Sequence, residues 1–198
     1  MCGIAGFIDF NKKTHKDTLV KMTDILHHRG PDDSGYYFES FDEVNIGLGH
    51  RRLSILDLSS HGHQPMSFEE IEIVYNGEVY NFAEIKLELE TLGYSFESHS
   101  DTEVILKAYH KWGLDTVHKF NGMFAFSIFD KKKQKVYLLR DRSGIKPLYW
   151  YQKSGTLLFA SELKSFHEFK DFDKEINNEA VGLFLQYQYI PEPHSIFE

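Results

Sequence analysis

The chain has 198 residues, is 41% hydrophobic and 15% aromatic, and carries a formal net charge of −8. These values predict a globular protein with a sizeable core, and the negative charge argues against a nucleic-acid partner. No apolar run reaches the roughly 18 residues of a membrane span, and the N-terminus lacks the features of a secretion signal. A single cysteine excludes an internal disulfide and fits a reducing compartment. We therefore expect a cytoplasmic location and no membrane partner.

The first half of the chain alternates strand-like and helical patterns. Residues 2–10 are apolar and punctuated by glycine, which predicts a buried strand. Apolar residues recur at helical spacing from Leu19 until Arg29-Gly30-Pro31, where the proline bars helical geometry. After a polar turn at 32–35, strands are predicted at 36–41 and 44–49, and residues 59–65 read as a loop.

The middle of the chain carries a hairpin signal and two helical patterns. Residues 71–75 predict a strand, and Asn76-Gly77 predicts a tight turn with 78–80 as the return strand. An amphipathic helix follows from Phe82 and ends at Gly93. Ser100 and Glu103 have the spacing of a capping box, which predicts the start of another helix.

The last part of the chain is predicted to be mostly strands. Four strands are expected at 123–129, 136–139, 148–151 and 157–160, with short helices at 162–169 and 179–188. Many antiparallel strands with a few separate helices indicate an α+β fold. The absence of a closing element after Pro191 suggests a fragment of a longer protein. Eleven histidines match no strong ligand spacing, so no metal site is predicted.

Cys2 is the first candidate for chemistry, because it is the only cysteine and directly follows Met1. Removal of Met1 would give Cys2 a free α-amine beside its thiol. That amine titrates near ~7.7–8.0 and the thiol near ~8.5, so the amine can take the thiol proton at neutral pH. This is the arrangement of an N-terminal nucleophile. The alternative is a buried cysteine that acts as a small hydrophobic residue.

Three further positions have side chains that suit a small amide substrate. Arg52 could hold a carboxylate in a bidentate pair. Asn76 and the backbone N–H of Gly77 could stabilise an oxyanion, with glycine allowing a carbonyl to approach closely. Asp101 could pair with an ammonium group. Each also has an ordinary interpretation: a surface arginine, a turn, and an acid favoured in the first helical turn.

In combination these features resemble the class II glutamine amidotransferases, which are N-terminal-nucleophile hydrolases. The resemblance is closest to the glutaminase domain of glutamine-dependent asparagine synthetases. The matching blocks cover nearly the whole chain: Met-Cys-Gly-Ile-Ala-Gly at 1–6, His-Arg-Gly-Pro-Asp-Asp-Ser-Gly at 28–35, Arg-Arg-Leu-Ser-Ile-Leu-Asp at 51–57, Val-Tyr-Asn-Gly-Glu-Val-Tyr-Asn at 74–81, Ser-Asp-Thr-Glu-Val-Ile at 100–105, Gly-Met-Phe-Ala-Phe at 122–126, Arg-Asp-Arg-Ser-Gly-Ile-Lys-Pro-Leu-Tyr at 140–149 and Ala-Ser-Glu-Leu-Lys at 160–164.

The resemblance implies a four-layer αββα fold, in which two antiparallel sheets pack face to face between helices. It also implies roles for single residues. The family's nucleophile matches Cys2, and its oxyanion-hole donors match Asn76 and Gly77. The residues that hold the α-carboxylate and α-ammonium of glutamine match Arg52, Glu78 and Asp101. Backbone groups that fix the substrate match Leu53 and Ile55.

The implied reaction is hydrolysis of the side-chain amide of L-glutamine to glutamate and ammonia through a Cys2 thioester. The glutaminase domain is expected at 2–175, and 176–198 would begin the connection to an ATP-dependent synthetase domain that uses the ammonia. This domain is expected to need no cofactor or metal, whereas ATP and Mg belong to the synthetase domain. We also count a homodimer among the arrangements to be tested.

Other functions stay open at this point. The chain could be a non-catalytic glutamine-binding or regulatory module, an amidotransferase domain for cell-surface polysaccharide synthesis, or a hydrolase of another amide. The context of Arg52, His-Arg-Arg-Leu-Ser-Ile, differs from the Thr-Arg-Trp-Ala-Thr-His context of the phosphoribosyl and hexosamine amidotransferases.

Overall fold

The computed structural model describes residues 1–54 and 60–197, and strands dominate these residues. In chain order the strands of this part are β1 (Gly3–Asp9), β2 (Asp33–Ser40), β3 (Asn45–Arg52), β4 (Met66–Phe68), β5 (Ile71–Val79), β6 (Gly122–Asp130), β7 (Lys135–Arg140), β8 (Tyr149–Lys153) and β9 (Thr156–Ala160). The α-helices are α1 (Lys16–Asp24), α2 (Phe82–Thr91), α3 (Asp101–Trp112) and α4 (Asn178–Tyr187). Short 3-10 helices lie at Ser60–Gly62, Gly113–His118 and Leu163–Glu168.

The strands form two antiparallel sheets that pack face to face. The first sheet has the order β2-β3-β1-β9-β8, and the second has the order β4-β5-β6-β7. An apolar cluster of residues from both sheets fills the space between them, and its buried members are Ile4, Ile46, Leu48, Val74, Phe129 and Phe159. Because side chains alternate along a strand, each of these strands also presents an opposite face to a helical layer.

Helices cover both outer faces. On the second sheet, α2 and α3 pack over a large apolar cluster that includes Ile73, Tyr75 and Phe126. On the first sheet, α1 packs against β3, where Gly49 leaves room for Thr23: an added Cβ would lie 2.0 Å from the Thr23 hydroxyl oxygen. The result is the αββα order of layers that the resemblance implied.

Residues 169–198 form a second compact unit, separate from the unit at 1–168. Within it, α4 begins after Asn177, whose side chain accepts a hydrogen bond from the Ala180 N–H at 2.9 Å. Ile176 and Phe197 form an isolated antiparallel bridge. The domain boundary at 175/176 stays a prediction. No helix in the described part of the chain is long and apolar enough to cross a membrane.

Three local predictions were wrong. The Asn76-Gly77 pair does not form a hairpin turn, because β5 continues through both residues and stays paired with β6 as far as Val79. The turn predicted at 32–35 is largely strand, since β2 already begins at Asp33. The capping box is also incomplete: Ser100 caps α3, but the Glu103 carboxylate accepts from the N–H groups of residues 97 and 98 instead of Ser100.

Candidate active site

Strand alternation brings the candidate residues to one end of the space between the sheets. Ile4 and Val74 face this space, so Cys2 and Asn76, each two residues away, face it as well. On β3, Leu48 lies in the same cluster, and Arg52 follows it four residues later on the same face. The alternation therefore directs a thiol, an amide and a guanidinium toward one region.

These residues line a cavity of about 200 Å³. The predicted site residues on its wall are Cys2, Arg52, Leu53, Asn76, Gly77, Glu78 and Asp101. Ile55, also predicted, lies outside the described residues. The volume is below the range for drug-sized ligands and suits a ligand of amino-acid size.

The Cys2 thiol lies against the backbone of Leu53. The Leu53 N–H donates to Sγ at 3.4 Å, and the thiol donates to the Leu53 carbonyl at 3.8 Å. Burial raises the pKa of the Cys2 thiol, although the Leu53 hydrogen bond and the charge of Arg52 act in the opposite direction. A thiol with a raised pKa is mostly protonated at neutral pH, so it needs a nearby base to become a nucleophile.

The backbone of Cys2 is held by Arg29. The Arg29 Nε–H donates to the Cys2 carbonyl at 2.9 Å, and Nη1 pairs with Glu162 at 2.9 Å. Burial disfavours the charge on Glu162, but hydrogen bonds from Arg29, His28 and Lys164 outweigh it and lower the pKa to about 2. Glu162 therefore stays ionised and keeps Arg29 in place.

Asn76 presents an unused donor to the cavity. Its side chain is only 1% exposed, and Nδ2 has no hydrogen-bond partner among the described residues. A buried donor without a partner costs about 1–3 kcal/mol, so native proteins seldom keep one without a reason. A ligand oxygen in the cavity would supply the missing acceptor.

The N–H of Gly77 belongs to a row of groups that points toward the same site. Alternate residues of β5 direct their N–H groups to one side. In this row, the Tyr75 N–H donates to the Gln64 side chain at 2.7 Å and the Val79 N–H donates to Asp101 at 3.0 Å. Gly77 lies between them on the cavity wall. Phe124 lies opposite Gly77 on β6. Its N–H donates to the Asp141 side chain, and its carbonyl accepts from the Asp141 N–H.

The neighbouring strand β6 requires glycine at position 77. An added Cβ would lie 2.4 Å from the Met123 carbonyl oxygen and 2.7 Å from the Phe124 Cα, both on β6. The neighbouring strand therefore already excludes a side chain at position 77, and the approach of a substrate carbonyl stays a prediction.

Asp101 lies at the first residue of α3, and Tyr75 holds it there. The Tyr75 hydroxyl donates to Asp101 Oδ2 at 2.6 Å, and the same oxygen accepts from the Val79 N–H. Burial raises the pKa of Asp101, and these two hydrogen bonds oppose the increase. Burial also raises the pKa of Tyr75, so its hydroxyl stays protonated and remains a donor.

Arg52 fits against a glycine that the sequence interpretation missed. An added Cβ on Gly62 would lie 2.0 Å from Arg52 Nη2, so the guanidinium fills the space that a side chain would take. Gly62 and Gln64 belong to a stretch interpreted only as a loop. Lys146 was also missed, although it lies within one of the matched blocks; each of the three lines the cavity.

The wall of this small cavity combines a thiol, two N–H donors, and basic and acidic side chains. These groups suit attack on an amide that belongs to a zwitterionic ligand. Within residues 1–54 and 60–197, no group of three or more His, Cys, Asp or Glu side chains could hold a metal ion.

Comparisons with known proteins agree with this geometry. All 198 residues match the family model described as a glutamine amidotransferase domain. A putative glutamine-hydrolysing asparagine synthetase 2 of Methanocaldococcus jannaschii is 45% identical, over 100% of this chain and 41% of that relative. The glutamine-hydrolysing asparagine synthetase 1 of Bacillus subtilis is 41% identical, over 99% of this chain and 31% of that relative. The chain thus spans less than half the length of these curated relatives.

A solved structure shares the fold at low sequence identity. The glutamine phosphoribosylpyrophosphate amidotransferase of Bacillus subtilis, complexed with ADP and GMP, superposes with a TM-score of 0.70 and 19% identity, over 84% of this chain and 43% of that chain. The predicted sandwich of two antiparallel sheets between helices is therefore confirmed.

Proposed function

Because the chain belongs to the glutamine amidotransferase domain family, we propose that it hydrolyses the side-chain amide of L-glutamine to glutamate and ammonia. The observation that supports this most strongly is the wall of one cavity, which carries both Cys2 and the unpartnered amide nitrogen of Asn76. Arg52 and Asp101 on the same wall offer a cation and an anion for the α-carboxylate and α-ammonium of glutamine.

The reaction would begin after Met1 is removed. The α-amine of Cys2 takes the thiol proton, and the thiolate attacks the amide carbon of glutamine. The developing oxyanion accepts hydrogen bonds from Asn76 Nδ2 and the Gly77 N–H. The protonated amine then gives its proton to the leaving nitrogen, so ammonia departs and a thioester remains on Cys2.

Water completes the cycle. The neutral α-amine takes a proton from a water molecule, whose oxygen attacks the thioester carbon. The carbon–sulfur bond breaks, glutamate leaves, and the protonated amine returns its proton to the sulfur, which restores the thiol and the neutral amine of Cys2. We propose that none of these steps needs a metal or a cofactor from this domain.

Ammonia would then be used elsewhere in a longer protein. The curated relatives are named as glutamine-hydrolysing asparagine synthetases, and the chain spans 41% and 31% of their length. We propose that an ATP-dependent synthetase domain, with ATP and Mg, uses the ammonia to form asparagine. The lone free cysteine supports a reducing, cytoplasmic location. The names of these relatives do not favour the non-catalytic alternative.

A labelling experiment tests the proposal on the chain itself. Intact mass is measured before and after treatment with a glutamine-like diazoketone, alongside ammonia release from L-glutamine. We expect loss of the Met1 mass, one label per chain at Cys2, and protection by glutamine. Retained Met1 with glutamine binding but no ammonia would favour a regulatory module. Labelling without protection by glutamine would favour a hydrolase of another amide.

A further inference from the structure

Lys146 is a buried cation on the wall of the cavity that holds Cys2. The residue is 5% exposed, and both it and Met1 line the cavity. The steps of glutamine hydrolysis described above make no use of it.

The backbone of Lys146 is fixed from both sides. Its N–H donates to Asp141 Oδ2 at 3.0 Å, and its carbonyl accepts from Arg140 Nε at 2.7 Å. The carboxylate of Asp141 also accepts from the N–H of Phe124 on β6 at 3.2 Å, which ties this turn to the sheet beside the cavity. These hydrogen bonds therefore fix the position of the Lys146 backbone.

The ammonium of Lys146 is poorly compensated. Nζ donates to Met1 Sδ at 3.4 Å, and a thioether is a weak acceptor. Within the described part of the chain no carboxylate forms an ion pair with it. A buried cation is costly unless it is paired. Removal of Met1 would take away even this thioether contact.

Other charged and titratable groups face the same cavity. They are Cys2, Arg52, Tyr75, Glu78 and Asp101, in addition to Lys146. Met1 Sδ and the Cys2 nitrogen belong to one short stretch of covalent bonds, so Lys146 Nζ lies within roughly 10 Å of that nitrogen. Over this distance, in a partly buried site, two like charges still interact.

We propose that Lys146 is a positioning residue that keeps the α-amine of mature Cys2 in its neutral, proton-accepting form at physiological pH. The ammonium of Lys146 disfavours a second positive charge beside it, and therefore lowers the pKa of the amine. Only a neutral amine can accept the proton of the thiol. The inference rests on the proposed function, because only an N-terminal nucleophile uses this amine as a base.

The single cysteine allows a direct measurement. Protein grown with carbon-13 cysteine and verified by mass to lack Met1 gives one Cys2 Cα resonance, whose shift against pH reports the amine pKa. We expect the wild-type pKa to lie below the ordinary ~7.7–8.0. It should rise by roughly one unit in Lys146→Met, and Lys146→Arg should titrate like the wild type.

Lys132→Met is the matched control, because it removes the same charge from an exposed lysine between β6 and β7. It should leave the amine pKa unchanged. The acid limb of kcat/KM for glutamine should move upward only in Lys146→Met, so that activity falls most at low pH. A purely structural role would instead lower activity by the same factor at every pH.

The resonance can be titrated whether or not the protein hydrolyses glutamine, so it separates this inference from the proposed function. An amine pKa at or above ~8.0 in the wild type would overturn the inference, as would an equal shift in Lys132→Met. Should Lys146→Met fail to fold, Lys146→Gln serves as the second neutral variant, and an amine pKa that it leaves at the wild-type value would overturn the inference.

Discussion

The space between the two sheets has an apolar middle and a polar end, and the same strands build both. In the middle, Ile4, Leu48 and Val74 are fully buried and belong to one apolar cluster. A few residues further along the same faces, the side chains at the end of the sandwich are those of Cys2, Arg52 and Asn76. The strands run without a break from the middle to the end, whereas the side chains between the sheets change from apolar to polar.

The difference shows where the chain gives up stability. In the middle, apolar burial contributes about 25 cal/mol for each Å² removed from water. At the polar end, Asn76 Nδ2 lacks a partner among the described residues, and Arg52 and Asp101 are almost completely buried. A buried donor such as Asn76 Nδ2 costs free energy while it has no partner. A local departure of this kind is typical of a functional site, where a ligand supplies the missing contact.

Replacement of the nucleophile should have the largest effect. Cys2→Ala removes the thiol, and we expect ammonia release from glutamine to fall to background. The fold should persist, because the half-buried side chain lies outside the apolar middle. Thermal unfolding and the rate of ammonia release are the two measurements. Turnover that survives in Cys2→Ala would end the assignment of Cys2 as nucleophile.

The contrast between Asn76 and Val74 on β5 gives the next largest effect. Asn76→Ala removes an oxyanion donor, so kcat should fall by roughly 10²–10³ while KM changes little. The free energy of unfolding of Asn76→Ala should differ from that of the wild type by less than about 1 kcal/mol, because the lost donor has no partner. Val74→Ala, two residues earlier on the same face, should lose about 2 kcal/mol of stability and keep its kcat.

Steady-state kinetics and denaturant titration of both variants test this contrast. If Asn76→Ala raised KM with kcat unchanged, Asn76 would bind substrate instead of stabilising the transition state. If it lost as much stability as Val74→Ala, the polar end would be an ordinary part of the core.

Alternation and helical spacing predicted most of the strands and helices, because these patterns are local, whereas the order of the layers came from the family resemblance. They failed at Asn76-Gly77, where the strongest short turn signal belongs to the interior of β5. Glycine is needed there because β6 passes 2.4 Å from the place of its missing Cβ. A contact between residues far apart in the chain leaves no local pattern, so turn propensity gave the wrong answer.

The candidate site divides in the same way. Cys2, Arg52 and Asp101 were identified because their side chains carry recognisable chemistry in matched blocks. Gly62 and Lys146 were missed, because their importance comes from tertiary contacts: one leaves room for Arg52, and the other is carried to the cavity by the turn at Asp141. Neither contact leaves a local sequence pattern, although Lys146 lies within one of the matched blocks.

Arg52 and its neighbour Arg51 test whether the polar end is built for a carboxylate. Arg52→Lys keeps the charge but loses the bidentate geometry, so KM for glutamine should rise roughly 10-fold to 100-fold with a smaller change in kcat. Arg51 pairs with Asp24 at 2.6 Å and does not line the cavity. Arg51→Lys should therefore leave KM within about twofold. Equal changes in both variants would contradict the assignment of Arg52 to substrate binding.

The hydrogen bond from Tyr75 to Asp101 gives the smallest expected effect. Burial raises the pKa of Asp101 and the Tyr75 hydroxyl opposes this, so Tyr75→Phe should raise that pKa further. Glutamine binding needs the ionised carboxylate, so it is present above this pKa and lost as the pH falls through it.

In Tyr75→Phe, KM should therefore begin to rise at a higher pH than in the wild type, with only a several-fold increase at neutral pH. Tyr109 is the matched control, because it is also buried on the helical side of the second sheet and donates to a carboxylate, that of Asp130, at 2.9 Å. Tyr109→Phe removes an equivalent hydrogen bond away from the cavity. It should lower stability while leaving the pH dependence of KM unchanged, whereas the same pH shift in both variants would show that Asp101 is not tuned by Tyr75.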